Sequence, residues 1–383
     1  MTARLGDRSL FPSLQWDVYA NHAAISPLSQ PVQDEVAAVA QAYAERGLTA
    51  LMPEMERRAR LRDRLAGLVG APVGSVGLVS NTTTGLLQLA FAMPWRRGDR
   101  IVLFEGEFPS NVLTWLQAAK QFELEPVFVS LDGFGDGSGA GLARLEDELS
   151  RGAALVACSA VQFQTGLAMP LQAIGQLCRR HGATFAVDAI QAVGAVPLDV
   201  TALGIDLLAC GSHKWLMAPE GCGFIAVRPG LTLEPRFTGW LGVEDGLRFL
   251  FEGRGHLRYD RPLHAGATWA ETGAANVLGL AGLDAALTLL EQAGPVLPHL
   301  QAWHDALEPG LQARGFTSLR ARDPAARSGI LSVEPPGDGV ATLNKLADAG
   351  ILASFPDGRL RFSPHWPSGL DEPARILAAL DAD

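Results

Sequence analysis

Charged residues, cysteines and long hydrophobic runs are all scarce in this sequence. Charged side chains make up 19% of the 383 residues, and none of the four cysteines forms a Cys-x-x-Cys pair. No zinc-type spacing or other metal site is therefore indicated, and we expect reduced cysteines in a cytoplasmic protein. No apolar run reaches the ~18 residues of a membrane span, and the N-terminal MTARLGDRSLFPS lacks the apolar core of a secretion signal.

Positive charge is also in deficit, because 31 lysines and arginines face 41 aspartates and glutamates. The formal net charge of −10 argues against nucleic acid and anionic membrane surfaces as partners. Hydrophobic residues, in contrast, make up 48% of the chain. That content is typical of a globular protein with a large core, and the length indicates two domains.

Strand-like and helix-like segments alternate through most of the chain. Apolar runs such as SVGLVS (75–80), DRIVLFE (99–105) and ATFAVDAI (183–190) are separated by stretches with helical spacing. The alternation predicts an α/β fold with a mainly parallel sheet that helices cover on both faces. We expect a large domain at 17–280 and a smaller C-terminal α+β domain at 281–383, which includes residues 1–16.

Three threonines follow the first of these strands. Thr82, Thr83 and Thr84 open a helix in NTTTGL (81–86). Hydroxyls and free backbone N–H groups at a helix N-terminus suit a phosphate group. One threonine there would be an ordinary helix cap, but three are more than capping needs. The segment therefore predicts a phosphate site.

Side chains with chemical potential also follow the later strands. Phe108, in GEFPSN (106–111), either stacks on a planar cofactor or packs in the core. Asp188 ends an apolar strand, where it either meets a cationic partner or caps the next turn, because a buried carboxylate is costly alone. Lys214, in GSHKWLMAPEGCGF (211–224), is either a surface lysine on a hairpin or a desolvated amine. Burial would lower the pKa of that amine, as a Schiff-base nucleophile requires.

These groups are expected to meet, because ligands of open α/β sheets bind at the carboxyl ends of the strands. One cofactor needs an amine, an acid, a stacking ring and an anion site together. Pyridoxal 5′-phosphate binds a lysine through its aldehyde, and its ring nitrogen and phosphate need an acid and an anion site. Ser212 and His213, which flank Lys214, are further candidates for the phosphate.

The chain resembles class V of the pyridoxal-phosphate-dependent aminotransferases, which have fold type I. This group also contains kynureninases, cysteine desulfurases, isopenicillin-N-epimerase-like proteins and C–S lyases. The resemblance implies a large cofactor-binding domain, with a mainly parallel sheet between helices, and a smaller C-terminal domain. The motifs that carry it are YANHAAISPLS (19–29), SNTTTGL (80–86), VQFQTG (161–166), VDAIQAVGAVPLDV (187–200), GSHKWLMAPEGCGF, ETGAAN (271–276) and RFSPHW (361–366).

The resemblance also implies roles for the cofactor-binding residues. Lys214 would hold the cofactor as a Schiff base, and Asp188 would keep the ring nitrogen protonated. Gln191 would bind the ring hydroxyl, and Phe108 would stack on the ring. The phosphate would be held by Thr82, Thr83, Thr84, Ser212 and His213.

On the substrate side, the resemblance implies that Arg361 binds the α-carboxylate of an amino acid through its planar guanidinium. Asn21 and His22 would line the same side. Family members are commonly homodimers with sites at the interface, so we expect a homodimer. Ala274 stands where a threonine often reaches the phosphate of the neighbouring subunit, which leaves Asn276 or Trp240 to make such a contact.

The type of reaction is less determined than the cofactor. The stretch AGILASFPDGRLRFSP (349–364) before and around Arg361 has no cysteine, so the persulfide route of cysteine desulfurases is not expected. Asn111 and Gln191 replace residues typical of kynureninases. We expect an aminotransferase in the simplest case, with a lyase or an epimerase as the alternative. A non-catalytic relative is less favoured, because Lys214, Asp188 and Arg361 are all present.

Overall fold

The computed structural model describes residues 2–382, so Met1 and Asp383, the outermost residues of the predicted small domain, lie outside the described part. The strands are β1 (Val18–Tyr19), β2 (Val76–Val79), β3 (Arg100–Phe104), β4 (Glu125–Val129), β5 (Leu155–Ser159), β6 (Thr184–Asp188), β7 (Leu207–Gly211), β8 (Gly223–Val227), β9 (Thr317–Ser318), β10 (Leu331–Glu334), β11 (Ile351–Leu352) and β12 (Leu360–Phe362). The helices are α1 (Gln30–Arg46), α2 (Leu51–Leu68), α3 (Thr82–Ala92), α4 (Ser110–Phe122), α5 (Ala140–Ser150), α6 (Leu171–His181), α7 (Val200–Leu203), α8 (Arg248–Phe251), α9 (Val277–Ala293), α10 (Leu297–Ala313), α11 (Gly339–Asp348) and α12 (Glu372–Asp381).

Seven strands form the central sheet, in the order β2-β8-β7-β6-β5-β3-β4. The strands from β4 to β7 run parallel to their neighbours. Only β8 among these seven runs antiparallel to both of its neighbours, β7 and β2. The prediction of an α/β fold with a mainly parallel sheet is confirmed.

Helices cover both faces of this sheet, which explains why its inner strands are apolar along their whole length. Alternate side chains of a strand point to opposite faces. In β3, Val102 and Phe104 pack in the cluster with α1, α2, α5, α6 and α9, whereas Ile101 and Leu103 pack in the cluster with α3 and α4.

The C-terminal part forms a separate apolar cluster around the antiparallel strands β9, β10 and β12. Its centre includes Trp303 of α10, Leu331 of β10 and Phe362 of β12, all fully buried. Val18 and Ala20 belong to this cluster, and β1 pairs with β11. Residues 10 and 11 and the buried face of α9, in contrast, pack in the large cluster. The predicted boundaries at 16 and 280 stay a prediction.

Helices α9 and α10 follow each other closely and both carry many apolar residues. No single helix among residues 2–382 is long and apolar enough to cross a membrane, and α9 and α10 meet that test by length and composition only as a pair with a 72° bend.

The parallel strands end at one edge of the sheet, and the predicted site residues follow those ends. β3 ends at Phe104, β6 at Asp188 and β7 at Gly211. α3 begins at Thr82, three residues after the end of β2. The fold therefore places the threonines, Phe108, Asp188 and Lys214 along one edge.

Candidate active site

Lys214 is the centre of this edge. Its side chain is buried, which excludes the surface hairpin position, and its Nζ atom lies 5.3 Å from the centroid of the Phe108 ring. Burial lowers the pKa of the Lys214 amine to about 8, an effect that the Asp188 carboxylate opposes and that the Arg361 guanidinium reinforces. The neutral form of the amine, which a nucleophile or a general base requires, is therefore far more populated near neutral pH than in an ordinary lysine.

Three side chains, those of Ser26, His22 and His365, hold the main chain around Lys214. The Oγ atom of Ser26 donates a 2.6 Å hydrogen bond to the carbonyl oxygen of Lys214. Because the Ser26 proton is used there, the Nδ1 atom of His22, at 2.7 Å, donates to the Ser26 oxygen. The Nε2 atom of His365 lies 2.7 Å from the carbonyl oxygen of Trp215 and donates to it.

His22 and His365 are both fully buried, and their rings meet edge to face at 5.2 Å. Burial holds the pKa of His22 well below its usual value and lowers that of His365 to about 4, so both imidazoles are neutral. The contacts assign His22 to the support of Lys214. Its predicted role on the substrate side stays a prediction.

Asp188 ends β6 with only 2% of its surface exposed. Within residues 2–382 its carboxylate accepts one hydrogen bond, from the backbone N–H of Ile190 at 3.0 Å, so it does cap the following turn. The pKa of Asp188 is raised to about 7, chiefly by burial. The Glu107 carboxylate contributes to this rise, and the Lys214 amine opposes it. A buried acid with one weak partner fits the protonated ring nitrogen of a pyridine cofactor.

The first turn of α3 is the segment in which the threonines predict a phosphate site, and that site stays a prediction. Asn81 caps the helix by accepting a 2.8 Å hydrogen bond from the Thr84 N–H. The backbone N–H groups of Thr82 and Thr83 donate no hydrogen bond within the described residues. Two free N–H groups at the positive end of a helix suit a phosphate.

The hydroxyl groups near this turn already have protein partners. Thr82 Oγ1 accepts from the Gly211 N–H at 2.8 Å, which ties α3 to the end of β7, and Thr83 Oγ1 lies 2.8 Å from Ser110 Oγ. Thr84 Oγ1 accepts from Ser80 Oγ at 3.1 Å. The remaining proton of the Thr82 hydroxyl can still be donated to a phosphate.

Ser212 and His213 stay predictions as phosphate ligands. Ser212 is fully buried, and its Oγ atom lies 2.7 Å from the carbonyl oxygen of Cys222, to which it donates. His213 is half-buried, and burial lowers the pKa of its imidazole. His213 is therefore available as a neutral hydrogen-bond donor.

Phe108 is 40% exposed at the open side of the edge. Its ring meets the Phe163 ring edge to face at 5.2 Å. Because Lys214 Nζ points at the same ring, a planar group bound to that amine would lie against Phe108. The position agrees with the predicted stacking role of Phe108, which stays a prediction.

Gln191 makes two buried side-chain hydrogen bonds near Lys214. Its Nε2 atom donates to the Ala23 carbonyl oxygen at 3.0 Å, and its Oε1 atom accepts from the indole N–H of Trp215 at 2.8 Å. One amide N–H remains for a ring hydroxyl, so the predicted contact stays a prediction.

Arg361, in β12, reaches the site from the C-terminal part. It is 5% exposed, its Nε atom donates to Ser354 Oγ at 3.0 Å, and its Nη1 atom donates to the Phe163 carbonyl oxygen at 2.8 Å. Burial lowers the pKa of the guanidinium to about 10, and no carboxylate of the described residues pairs with it. An unpaired, buried guanidinium fits the carboxylate of a ligand.

Asn21 lies beside this arginine, because it forms a β-bridge with Ser363, two residues after Arg361. The Oδ1 atom of Asn21 is buried and has no hydrogen-bond partner within residues 2–382. Such an acceptor is costly unless a ligand donates to it, as an amino group would.

Asn276 and Trp240 lie farther from Lys214. Asn276 caps α9 by accepting from the Gly279 N–H at 3.0 Å, and it lines a cavity of about 320 Å³ together with Ser80 and Thr84. Trp240 is 42% exposed and packs on Phe249. Their predicted phosphate contacts stay predictions.

Glu107 is a site residue that the sequence analysis missed. Its buried carboxylate accepts hydrogen bonds from the Ser159 N–H at 2.6 Å, from the Ser159 hydroxyl and from the Gln162 amide at 3.0 Å. The sequence does contain an indication of this role, because Glu107 is an acid that follows the end of β3, as Asp188 is an acid at the end of β6. Only the next residue, Phe108, is predicted as a site residue at this strand end.

The arrangement combines an amine, an acid, an aromatic ring, an anion site and a free guanidinium. These residues fit pyridoxal 5′-phosphate together with an amino acid. No group of three or more His, Cys, Asp or Glu side chains in residues 2–382 could hold a metal ion.

Comparisons with known proteins agree with this arrangement. A family model described as aminotransferase class-V matches residues 18–352. An uncharacterized aminotransferase, YcbU, of Bacillus subtilis is 25% identical over 374 residues, which are 95% of this chain and 94% of that protein. A probable cysteine desulfurase of Chlamydia trachomatis is 30% identical over 298 residues, 76% of this chain and 70% of that protein.

Two solved structures show the same fold along almost the whole chain. The cystine C–S lyase C-DES, in complex with its reaction product cysteine persulfide, has a TM-score of 0.85 and 25% identity, and the match covers 97% of this chain and 98% of that one. The apo cysteine desulfurase of Thermococcus onnurineus NA1 has a TM-score of 0.83 and 24% identity, with 95% and 94% covered.

Proposed function

This chain belongs to the aminotransferase class-V family of pyridoxal phosphate enzymes, and we propose that it acts on an amino acid through Lys214, most simply as an aminotransferase. One observation carries the proposal. Lys214, with a pKa of about 8, stands between the buried acid Asp188 and the buried, unpaired guanidinium of Arg361. The amine suits the cofactor, the acid suits its ring nitrogen, and the guanidinium suits the carboxylate of an amino acid.

The residues divide the work of such a reaction. Bound pyridoxal phosphate supplies an electron sink for the electrons that the substrate Cα atom gains when its proton leaves. Lys214, once free and neutral, takes that proton and returns it at a different atom. Asp188 holds the proton on the ring nitrogen. Arg361 fixes the carboxylate, and the Asn21 oxygen accepts from the substrate amine.

A lyase acting on a C–S bond is the second candidate. The similarity to a cystine C–S lyase over 97% of this chain favours it. Elimination breaks the Cβ–S bond and sends sulfur away with the leaving group, so it needs no enzyme thiol. Residues 349–364, beside Arg361, contain no cysteine, and the four cysteines are all buried and free. That distribution supports elimination rather than capture of sulfur by an enzyme thiol.

We also propose that the protein is a homodimer. The segment 237–259 exposes seven large apolar side chains on the isolated chain: Phe237, Trp240, Phe249, Leu250, Phe251, Leu257 and Tyr259. Exposed apolar surface on this scale marks an interface. Trp240 lies beside Gly273, whose segment lines the cavity next to the first turn of α3. A second copy on this surface would therefore reach the phosphate region of the site.

A cytoplasmic location is part of the proposal. All four cysteines are buried, unpaired thiols in the described residues. Free, buried thiols agree with a reducing compartment.

The first experiment identifies the lysine. The protein contains only three lysines, Lys120, Lys214 and Lys345, so borohydride reduction after loading with pyridoxal phosphate can be mapped by mass spectrometry. We expect the label on Lys214 and an absorption band near ~420 nm that Lys214→Ala abolishes. Lys120→Ala, at an exposed position of α4, is the matched control and should keep both. A label on Lys120 or Lys345 would refute the assignment.

The second experiment separates the two reactions. The loaded protein is mixed with a panel of amino acids that includes cystine. Conversion of the band to the pyridoxamine form with release of a keto acid identifies an aminotransferase. Release of pyruvate and persulfide from cystine without the pyridoxamine form identifies the lyase. A spectrum that no amino acid changes would contradict both.

A further inference from the structure

Three charged side chains stand in a row across the carboxyl ends of four neighbouring strands. The sheet order runs β3, β5, β6 and β7. Glu107 follows the end of β3 and contacts the end of β5, Asp188 ends β6, and Lys214 follows the end of β7. Neighbouring strands are ~4.8 Å apart, so the row spans only a few strand spacings.

Glu107 is fixed tightly in this row. Its carboxylate accepts from both the N–H and the hydroxyl of Ser159, and from the amide of Gln162. Ser159 is the register partner of Asp188 in the pairing of β5 with β6. The N–H of Ala160 then donates to the Asp188 carbonyl oxygen at 2.8 Å. One peptide segment therefore carries both the donors to Glu107 and a contact to Asp188.

The hydrogen bonds indicate that Glu107 is ionised. Three donors face the two oxygens, an arrangement that favours the carboxylate, which accepts at both oxygens. Burial raises the pKa of Glu107, and the hydrogen bonds from Ser159 and Gln162 lower it. The donors thus offset the cost of keeping a buried charge.

This charge has no cationic partner of its own. None of the ion pairs formed within residues 2–382 includes Glu107, and the charged neighbours along the row are Asp188 and then Lys214. The row holds two negative charges and at most one positive charge. It therefore favours an additional positive charge at the open side of Asp188.

We propose that Glu107 is a positioning residue of the cofactor site, which acts through Asp188 so that the ring nitrogen of the bound cofactor stays protonated. The inference rests on the proposed function. Asp188 would contact the ring nitrogen of the bound cofactor, and Glu107 would act from one strand further. The titratable and charged groups that face this pair are Lys214, Cys158 and Cys210, with Arg361 behind Lys214.

The test is the pH titration of the visible absorption band of the loaded protein, from about pH 5 to about pH 10. Glu107→Gln keeps most hydrogen bonds and removes the charge. We expect the midpoint to fall by about 0.5 to 1 unit, because loss of a nearby anion disfavours every protonated form in the site. Ser159→Ala removes one donor and keeps the charge, so its midpoint should stay within about 0.3 unit of the wild type.

Three outcomes overturn the inference. The first is an unchanged midpoint in Glu107→Gln, and the second is an equal shift in Ser159→Ala, which would assign the effect to the loop and not to the charge. The third is a midpoint shift of a full unit in Glu107→Asp, because a retained charge must keep the midpoint near that of the wild type. Glu107→Asp is therefore the deciding variant if Glu107→Gln fails to fold.

The same experiment distinguishes this inference from the proposed function. A wild-type protein without a lysine-bound cofactor band would end the proposed function itself. A wild-type protein with the band, together with an insensitive Glu107→Gln variant, would end only the role of Glu107. Activity enters neither comparison.

Discussion

Ser26 donates a hydrogen bond from its hydroxyl to the carbonyl oxygen of Lys214 at 2.6 Å, across 188 positions of sequence. His22 donates to the same hydroxyl, and His365 donates to the next carbonyl oxygen, that of Trp215. Both ends of the chain therefore hold the peptide that carries the reactive amine. The position of Lys214 is a property of the tertiary structure and not of its local turn.

Removal of the Ser26 hydroxyl should lower stability. In Ser26→Ala the Lys214 carbonyl and the His22 N–H both lose a buried partner, which we expect to cost about 1 to 3 kcal/mol in the free energy of unfolding. Urea denaturation measures this change. Ser150→Ala removes an exposed hydroxyl that bonds the Asp147 carbonyl and should change the value by less than about 0.5 kcal/mol. Equal effects of the two variants would contradict a role of Ser26 in holding the main chain of Lys214.

The cap of α3 should matter for the cofactor as well as for stability. We expect Asn81→Ala to cost about 0.5 to 2 kcal/mol, because the Thr84 N–H loses its acceptor, and to weaken binding of pyridoxal phosphate. Asp338→Ala removes the equivalent cap of α11 in the C-terminal part. It should lower stability by a similar amount and leave the dissociation constant of the cofactor unchanged. Calorimetry and fluorescence titration measure the two quantities.

Arg361 should determine affinity for the substrate and not for the cofactor. Arg361→Ala removes a charge-assisted contact to the carboxylate, so we expect the amino-acid concentration that half-changes the spectrum to rise about 10- to 100-fold. The dissociation constant of pyridoxal phosphate should stay the same. Arg375→Ala, which breaks an exposed pair with Asp371 on α12, is the control. A lost cofactor band in Arg361→Ala would assign the residue to cofactor binding.

The rate of cofactor attachment should follow the ionisation of Lys214. Only the neutral amine attacks an aldehyde, and its pKa is about 8, so the rate of band formation should rise with pH through about 8 and then level off. Because the Asp188 carboxylate raises the pKa of Lys214, Asp188→Asn should shift this rise to lower pH. Stopped-flow absorbance gives the profile. A shift to higher pH would contradict the stated direction.

Asp188 should also make the cofactor-free protein lose stability as pH rises. Its pKa is raised to about 7 in the folded state, from 3.8. Between these values the folded state binds more protons than the unfolded state, so the free energy of unfolding falls as pH increases. We expect the melting temperature of the wild type, taken relative to that of Asp188→Asn, to fall from about pH 4 to about pH 7. The difference between the two curves removes the contribution of the buried histidines.

The sequence identified the sheet and the residues at its edge because both depend on local patterns. Apolar runs fixed the strands, and residues that directly follow a strand must lie at its carboxyl end. The positions of Asp188, Lys214 and the threonines follow from that rule alone. Arg361 came from the resemblance to the family, since nothing in its local sequence indicates that it approaches the sheet edge.

The contacts of several site residues come from distant segments. His22 is predicted to line the substrate side, and it contacts Ser26 and His365, the second of which is 343 positions away. Ser212 is predicted to bind the phosphate, and its hydroxyl donates to the Cys222 carbonyl, ten positions on. Both roles stay predictions. The donors to Glu107, Ser159 and Gln162, lie beyond the helices α4 and α5 and the strand β4, so the local sequence does not show that this carboxylate is hydrogen-bonded. Spacing along a chain does not show which hydrogen-bond groups are already satisfied.

The hydrogen bonds that hold the main chain of Lys214 and Trp215 have a consequence for the order of events during protein synthesis. The sheet, with its lysine, leaves the ribosome well before His365 does. A nascent chain that has passed β8 can form the seven strands, yet the Trp215 carbonyl still lacks the His365 donor, and β1 still lacks β11. The ability to accept the cofactor in its final geometry is therefore completed only after β11 and His365 have been synthesised.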